Sequence, residues 1–323
     1  MTGNTVLAGD IGGTKTRLAI VTVAGTQVST EHEATYSSQA YDTFETLLGE
    51  FLAGIKAPAY AALGVAGPVQ GRVVRTTNLP WLIDADTLQR SFGFTFCSLL
   101  NDLEATAYGL PALGAGDLLV LQAGAADSTG NRAVIAAGTG LGEAGLYWDG
   151  KQHRPFATEG GHASFAPSNA LEFALLSHLQ QQFDHVSWER VVSGMGIVSI
   201  HEFLCRYHAA PEDLFAPNTD MAAAISAAAE HDEMCAQTMH LFVRLYGAEA
   251  GNLALKTMSR GGIYLGGGIA PKILPLLQSG EFMDAFLQKG RMRPLLDAMP
   301  VKVILNDRAA LYGPALYASN RAG

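Results

Sequence analysis

Twice along the chain an apolar run breaks at a glycine-threonine turn and resumes as a second apolar run. The first instance is Thr5–Ala8, the turn Asp10-Ile11-Gly12-Gly13-Thr14, and Arg17–Val23. The second is Ala133–Ala137, the turn Gly138-Thr139-Gly140-Leu141-Gly142, and Ala144–Trp148. Each reads as two strands joined by a hairpin-type turn, where glycine adopts backbone angles that other residues avoid. Each opens one half of the chain, and strands and amphipathic helices follow in both halves. That order specifies two α/β domains. The pattern recurs without sequence identity between its copies.

The rest of the chain fits this plan. Gln27–Tyr36 reads as a third strand. Phe44, Leu47, Leu48, Phe51, Leu52 and Ile55 recur at helical spacing, which predicts a helix from about Tyr41 to Lys56. Tyr60–Ala66 is a buried strand ending at Gly67-Pro68. Asp84 and Gly93 bracket a short helix as its N-cap and stop. Thr95–Leu100 is a strand that runs into Asn101-Asp102 and then a helix to Tyr108. A Pro/Gly-rich stretch, Gly109–Gly116, marks the domain boundary, placing one domain at 1–112 and the other at 113–305. Ala170–Thr257 is mostly helical, with a long helix from about His231. Gly262–Leu265 and Val301–Leu305 are strands, and Ala309–Ala318 is a last helix.

Length and composition agree. A chain of 323 residues suggests about two domains. Its 36 glycines exceed the usual ~7%. They follow no Gly-X-Y period, so collagen is excluded, and high apolar content excludes disorder. The glycines concentrate at 9–13, 138–145, 160–161 and 261–268; the others read as ordinary turns and helix ends. A net charge of −9 argues against a surface that coats nucleic acid. Cys97, Cys205 and Cys235 are too few and scattered for a disulfide framework or zinc site, and read as core thiols. Met1–Asp10 lacks the basic-then-apolar order of a signal peptide. The charge-free run Ala57–Gly71 is too short and broken to span a bilayer. These features predict a soluble, cytoplasmic protein.

Three familiar nucleotide motifs fail. Gly13-Thr14-Lys15-Thr16 approaches a P-loop, but Thr14 stands where that motif needs glycine, and a strand follows instead of a helix. Gly140, Gly142 and Gly145 match GxGxxG, yet Leu146, Tyr147 and Trp148 continue as a strand. A protein-kinase glycine loop would need HRD and DFG segments, and neither is present. A hairpin-type phosphate loop used twice remains: successive glycine N–H groups point at phosphate oxygens, and a threonine hydroxyl adds a donor. The plain alternative for either loop is a tight turn. Gly261–Gly268 ends a buried strand, where glycine permits close approach of a flat ligand or close strand–helix packing.

Polar residues sit at matching places. Asn101-Asp102 follows a strand, and open α/β sheets place chemistry at the carboxyl ends of strands, so Asp102 is a candidate general base. The alternative is a helix cap. In Thr158-Glu159-Gly160-Gly161-His162 a carboxylate and an imidazole suit adjacent sugar hydroxyls, or else form a solvated loop. Two such side chains do not make a metal site. Glu189, in Ser187-Trp188-Glu189-Arg190, reads locally as a first-turn helix carboxylate.

Taken in order, Asp10-Ile11-Gly12-Gly13-Thr14, Asn101-Asp102, Gly138-Thr139-Gly140-Leu141-Gly142, Glu159-Gly160-Gly161-His162 and Gly266-Gly267-Gly268 resemble the bacterial glucokinase family of the sugar kinase/Hsp70/actin superfamily. The resemblance extends through Ser187–Gly194 and Gly251-Asn252-Leu253-Ala254-Leu255, and so covers nearly the whole chain. It implies two ribonuclease-H-like α/β domains flanking a cleft, with a C-terminal helix, 306–323, returning to the first. It implies ATP-dependent transfer of a phosphoryl group to the 6-hydroxyl of glucose, with Mg²⁺ as cofactor. Asp102 matches the catalytic base. Asn101, Asp102, Glu159, His162 and Glu189 match the glucose-binding set, which replaces the local reading of Glu189. Asp10, Gly12, Gly13 and Thr14 match the first phosphate motif, with Asp10 near Mg²⁺. Gly138, Thr139 and Gly140 match the second, and Gly266, Gly267 and Gly268 the adenosine motif. A homodimer is also implied.

Departures are informative. Lys15 stands where the family often has asparagine. ROK sugar kinases carry a cysteine-rich zinc motif after the Glu-x-x-His loop, but no cysteine lies between Cys97 and Cys205, so zinc is not expected. The first strand lies at the start of this sequence, so the DNA-binding segment of ROK repressors is not expected. A kinase for mannose, fructose or an N-acetylhexosamine stays open, as does a non-catalytic sugar sensor. The phosphoryl donor, ATP by resemblance, could also be ADP or polyphosphate.

Overall fold

A computed structural model describes residues 3–76, 79–210 and 219–322. Contacts divide the chain into two units: Met1–Asp117, Arg154–Ala157 and Asn306–Gly323 in one, Leu118–His153 and Thr158–Leu305 in the other. The first break falls a few residues past the Pro/Gly-rich stretch.

In the first unit, β1 (Asn4–Ile11), β2 (Lys15–Ala24) and β3 (Gln27–Ser37) form an antiparallel meander. β4 (Tyr60–Val65) then pairs parallel to β1. A small antiparallel sheet follows, of β5 (Val69–Gln70), β6 (Val73–Arg75) and β7 (Leu82–Asp84). β8 (Phe96–Asn101) closes the main sheet parallel to β4, giving the order β3-β2-β1-β4-β8.

Strand alternation explains the two-faced burial. Leu7, Ile11, Leu18, Ile20, Ala61 and Leu63 belong to one apolar cluster, while Val6, Ala8, Ala19, Val21 and Ala62 belong to another. Successive side chains point to opposite faces, so each strand feeds both cores. Helices α1 (Phe44–Phe51) and α2 (Ala85–Phe92) add to the first cluster. Predicted to reach Lys56, α1 stops sooner: Leu52 caps it and Gly54 takes φ +78°, turning the chain. For α2, Asp84 accepts from Asp86 N and Gly93 closes the end in the left-handed region, as predicted. Helix α3 (Asp102–Gly109) follows β8 directly.

The second unit repeats this five-strand order and adds one antiparallel strand at the edge. The six-stranded sheet contains β9 (Leu118–Gln122), β10 (Arg132–Ala137), β11 (Leu141–Trp148), β12 (His153–Thr158, of which Arg154–Ala157 group with the first unit), β13 (Gly262–Gly266) and β14 (Val301–Ile304), in the order β12-β11-β10-β13-β14-β9. β10 and β11 are antiparallel, while β10, β13 and β14 run parallel. Strands β5 to β7, β9 and β12 were not anticipated from the sequence.

Between β12 and β13 lie α4 (Ala170–Leu179), α5 (Gly194–Tyr207), α6 (Met221–Ala228) and the long α7 (Glu233–Thr257). Three short helices follow β13: α8 (Leu274–Gln278), α9 (Glu281–Leu287) and α10 (Arg293–Asp297). The segment expected to become helical at Pro271 is first a 3-10 turn, Ala270–Lys272. The last helix, α11 (Ala309–Ala322), packs on α3, β1 and β4 of the first unit.

Many glycines outside the loops serve packing, contrary to the expectation of turns and helix ends. A side chain at Gly313 would overlap Ala105 O, and one at Gly109 would overlap Ala309 O, so α3 and α11 meet backbone to backbone. Gly247 and Gly251 on α7 similarly admit the backbone of α9 at Phe282 and Phe286. Gly9, counted with the first loop, lies inside β1 and makes room for the side chains of Leu63 and Leu18.

Candidate functional site

In the first unit, register brings two predicted segments together. Asp10 pairs with Gly64 and Gly64 with Leu100; Ile11 pairs with Val65 and Val65 with Asn101. The carboxyl ends of β1, β4 and β8 are therefore level, which sets the Asp10–Thr14 turn one strand away from Asn101-Asp102. The turn is a hairpin closed by Gly12 N donating to Lys15 O at 2.9 Å. Ser38 braces it, its N–H donating to Thr14 O at 2.9 Å and its hydroxyl to Gly12 O at 2.8 Å. The Thr14 and Lys15 side chains are exposed.

Asn101, not Asp102, is the cap of α3. Its Oδ1 accepts from Leu103 N and Glu104 N, and its Nδ2 donates to Gly67 O at 3.3 Å. The Asp102 carboxylate accepts from Leu103 N at 2.9 Å.

Across the hairpin from Asp10 stands Arg17, bonded to Asp307 at 2.8 Å. Burial pushes the Asp10 carboxyl up to about 6; Arg17 pulls it back only in part, and Asp307 adds to the rise. Such a carboxylate suits a cation, whose charge offsets the lost hydration. Among the described residues no three His, Cys, Asp or Glu side chains group as a self-sufficient metal site. Mg²⁺ does not require one, because it commonly takes one or two carboxylates together with substrate phosphates.

In the second unit the two glycine segments adjoin. Ala136 pairs with Gly266, so the Gly138 turn and Gly266–Gly268 leave the sheet side by side. Gly267 has φ +80°, and a Cβ there would overlap Ala137 O. Gly138 N donates to Gly140 O at 2.9 Å, and Gly194 N to Gly138 O at 2.8 Å. Thr139 is exposed at the tip of the turn, and so are Gly267 and Gly268 nearby.

Glu189 lies in a 3-10 turn, Trp188–Arg190, that has no side-chain cap. Its Oε2 accepts from Leu141 N at 2.9 Å and takes the space a side chain at Gly140 would need. The residue read locally as a helix-start carboxylate thus braces the second glycine turn. Glu159 and His162 flank a short turn, Gly160–His162, with His162 Nε2 at 3.9 Å from Glu159 Oε2. Both are exposed and available to a ligand. His162 and Glu189 line one hollow of about 460 Å³. Asp184, His185, Ser187 and Arg190 also line it. The sequence reading did not single these out, and their one signal is position, beside Glu189 in a polar segment.

Buried Glu143 and Glu249 were missed as well. They stand in an apolar strand and an apolar helix, where periodicity marks core and gives no hint of a paired carboxyl.

Two ribonuclease-H-like α/β units, each with a glycine turn between its first two strands and polar residues at strand carboxyl ends, define the sugar kinase/Hsp70/actin class. Comparison with known proteins narrows this. The Glucokinase family model matches residues 7–321. A glucokinase from Trichormus variabilis is 43% identical, with 97% of this chain and 98% of that protein covered. The crystal structure of a glucokinase from an Antarctic psychrotroph superposes with a TM-score of 0.87 at 33% identity, covering 98% of this chain and 99% of that one. A ROK family glucokinase from Streptomyces griseus, solved with glucose and AMPPNP, shares the fold at TM-score 0.68 and 23% identity, with 99% of this chain and 100% of that one covered. The chain belongs to the glucokinase family. No helix among the described residues is long and apolar enough to cross a membrane.

Proposed function

We propose that this chain transfers the γ-phosphoryl group of ATP to the 6-hydroxyl of glucose, giving glucose 6-phosphate and ADP. The observation that carries it is the family match across residues 7–321. The bound glucose and AMPPNP of the Streptomyces griseus relative support the choice of substrates.

Asp102 takes the proton of the 6-hydroxyl as that oxygen bonds to the γ-phosphorus and the bond to the β-phosphate oxygen breaks. Asn101, Glu159, His162 and Glu189 hold the sugar hydroxyls, so the attacking oxygen is oriented before reaction. Asn101 is well suited, since its cap bonds and its bond to Gly67 fix the side chain. Phosphate oxygens are received by N–H groups of Gly13 and Thr14 and of Thr139 and Gly140, while the N–H groups of Gly12 and Gly138 close their own turns. Gly266, Gly267 and Gly268 border the adenosine. Asp10 would hold Mg²⁺, which when bound would neutralise charge on the phosphates. Phosphoryl transfer asks mainly for positioning and electrostatics, which these loops provide.

A coupled assay of ADP release with Mg-ATP and glucose tests the reaction; absence of glucose-dependent turnover overturns it. Mannose, fructose and N-acetylhexosamines in the same assay test sugar preference. A homodimer is the assembly we infer from the family, and sedimentation at monomer mass across micromolar concentrations overturns that inference.

A further inference from the structure

Beneath the Glu159–His162 turn lies a pair of carboxyls that the proposed reaction does not use. Glu143, on β11, is 2% exposed, and Glu249, on α7, is 0% exposed. The two share a hydrogen bond. Glu249 also accepts from Asn252 Nδ2 at 2.8 Å and from Lys256 Nζ at 3.1 Å. Glu143 Oε1 has no partner among the described residues. Burial raises the Glu249 carboxyl as well, but the Asn252 and Lys256 donors oppose that rise, whereas Glu143 has no such donors among the described residues, so the shared proton belongs to Glu143, which donates it to Glu249. Burial is the main force pushing Glu143 up, to about 8, with the Glu249 charge adding and Lys256 opposing. The other ionisable groups around the pair are the Tyr246 phenol, bonded to Ile135 O, and Lys289, which donates to Ala248 O and Asn252 Oδ1 and feels Glu172.

The sugar turn rests directly on this carboxyl. A Cβ at Gly160 would overlap Glu143 Oε2, and one at Gly161 would overlap Leu141 O. Both glycines therefore lie flat on β11. Thr158 Oγ1 donates to Glu143 O at 3.0 Å and accepts from Gly160 N at 3.3 Å, which ties the start of the turn to the same residue. An ionised Glu143 would lose its bond to Glu249 and face a like charge in a dry site, a costly arrangement.

We propose that Glu143 is a positioning residue for the sugar: its neutral carboxyl, tied to Glu249, forms the seat of Gly160 and Gly161 and so sets where Glu159 and His162 stand. This rests on the reading of Glu159 and His162 as sugar contacts. Ionisation unseats the turn, so the affinity for glucose falls as pH rises past the Glu143 titration.

The test compares wild type with Glu143→Gln, which keeps the size and a donor but cannot ionise. Between pH 7 and 9 the wild-type KM for glucose is expected to rise up to about tenfold, as the seated fraction drops, with kcat changing less. Glu143→Gln should hold a flat KM. Hydrogen exchange at Gly160, Gly161 and His162, corrected for intrinsic base catalysis, should accelerate over the same range in wild type only. Glu143→Ala should exchange faster already at pH 7; if that variant fails to fold, Glu143→Gln carries the test alone. Parallel pH responses of exchange in wild type and Glu143→Gln overturn the proposal. An unchanged KM in Glu159→Gln instead overturns the sugar-contact reading, and the exchange data then still judge the seat.

Discussion

The two units build the same strand order by different local means. In the first, the Gly12 turn is braced from within its own meander: Gly12 binds Lys15, and Ser38 closes on Gly12 and Thr14. In the second, the Gly138 turn is braced by residues remote in sequence, with Gly194 bonded to Gly138, Glu189 to Leu141, and Gly267 pressed on Ala137. The first turn takes one remote bond, Ala66 N to Ile11 O at 2.9 Å, but its other braces come from the adjoining hairpin and Ser38. A turn held by two segments remote in sequence, 189–194 and Gly267, depends on long-range packing. On the proposed function the labour divides too: the first unit carries the proposed base, Asp102, and the second carries Glu159, His162 and Glu189 of the proposed sugar-binding set.

The largest effect expected is at the base. Asp102→Ala should lower kcat by ~10²–10⁴, the usual contribution of a general base, while calorimetry still detects glucose binding. Near-normal turnover would remove chemistry from the first unit.

Next come the glycines, which separate structural from ligand-facing roles in the second turn. Gly267→Ala combines a left-handed φ with a clash against backbone, so thermal melting should report a loss of about 1–3 kcal/mol. Gly138→Ala meets nothing within 4 Å, so its melting should stay within about 0.5 kcal/mol of wild type while KM for ATP rises. Equal melting of the two variants would erase the distinction.

The buried pair adds a pH dependence to the second unit. Burial raises Glu143, so folding keeps a proton there that the unfolded chain releases above its ordinary range near 4.5. Its contribution to stability is therefore greatest below that range and is lost as pH rises to about 8. Denaturant midpoints should show Glu143→Gln gaining on wild type across that window, and a constant difference would contradict it.

The smallest effect belongs to the Arg17–Asp307 pair of the first unit. Asp307 is 76% exposed, so Asp307→Asn should cost about 0–1 kcal/mol. Its bond to Arg17 holds the carboxyl below the usual range, so this contribution is present at neutral pH and fades as pH falls through the acid range. A larger loss by chemical denaturation would give Arg17 more weight at the first turn than its exposed partner implies.

Much of this was legible from residues alone. The glycine turns, the Asp84 and Gly93 helix limits and the placement of Asn101-Asp102 at a strand end follow from period and backbone preference, which act within a few residues. The helix from Phe44 ended early because Gly54 reversed the chain, a local signal outweighed in the reading by apolar spacing. The two-residue strand Val69–Gln70 escaped notice, because a strand that brief is made by its partner, not by its own pattern.

The sequence by itself determined the two-unit α/β plan, the hairpin turns and the family, because strand alternation, helical spacing and glycine angles are written in neighbouring residues. Only the tertiary structure decided that Asn101 and not Asp102 caps the helix, that Glu189 braces a glycine turn, and that Gly109, Gly247, Gly251 and Gly313 serve packing. It alone paired Glu143 with Glu249 under the Gly160–His162 turn. Those outcomes depend on which backbone atoms of distant segments come within van der Waals reach, and on which buried charge finds a donor, and neither is encoded in the order of adjacent residues.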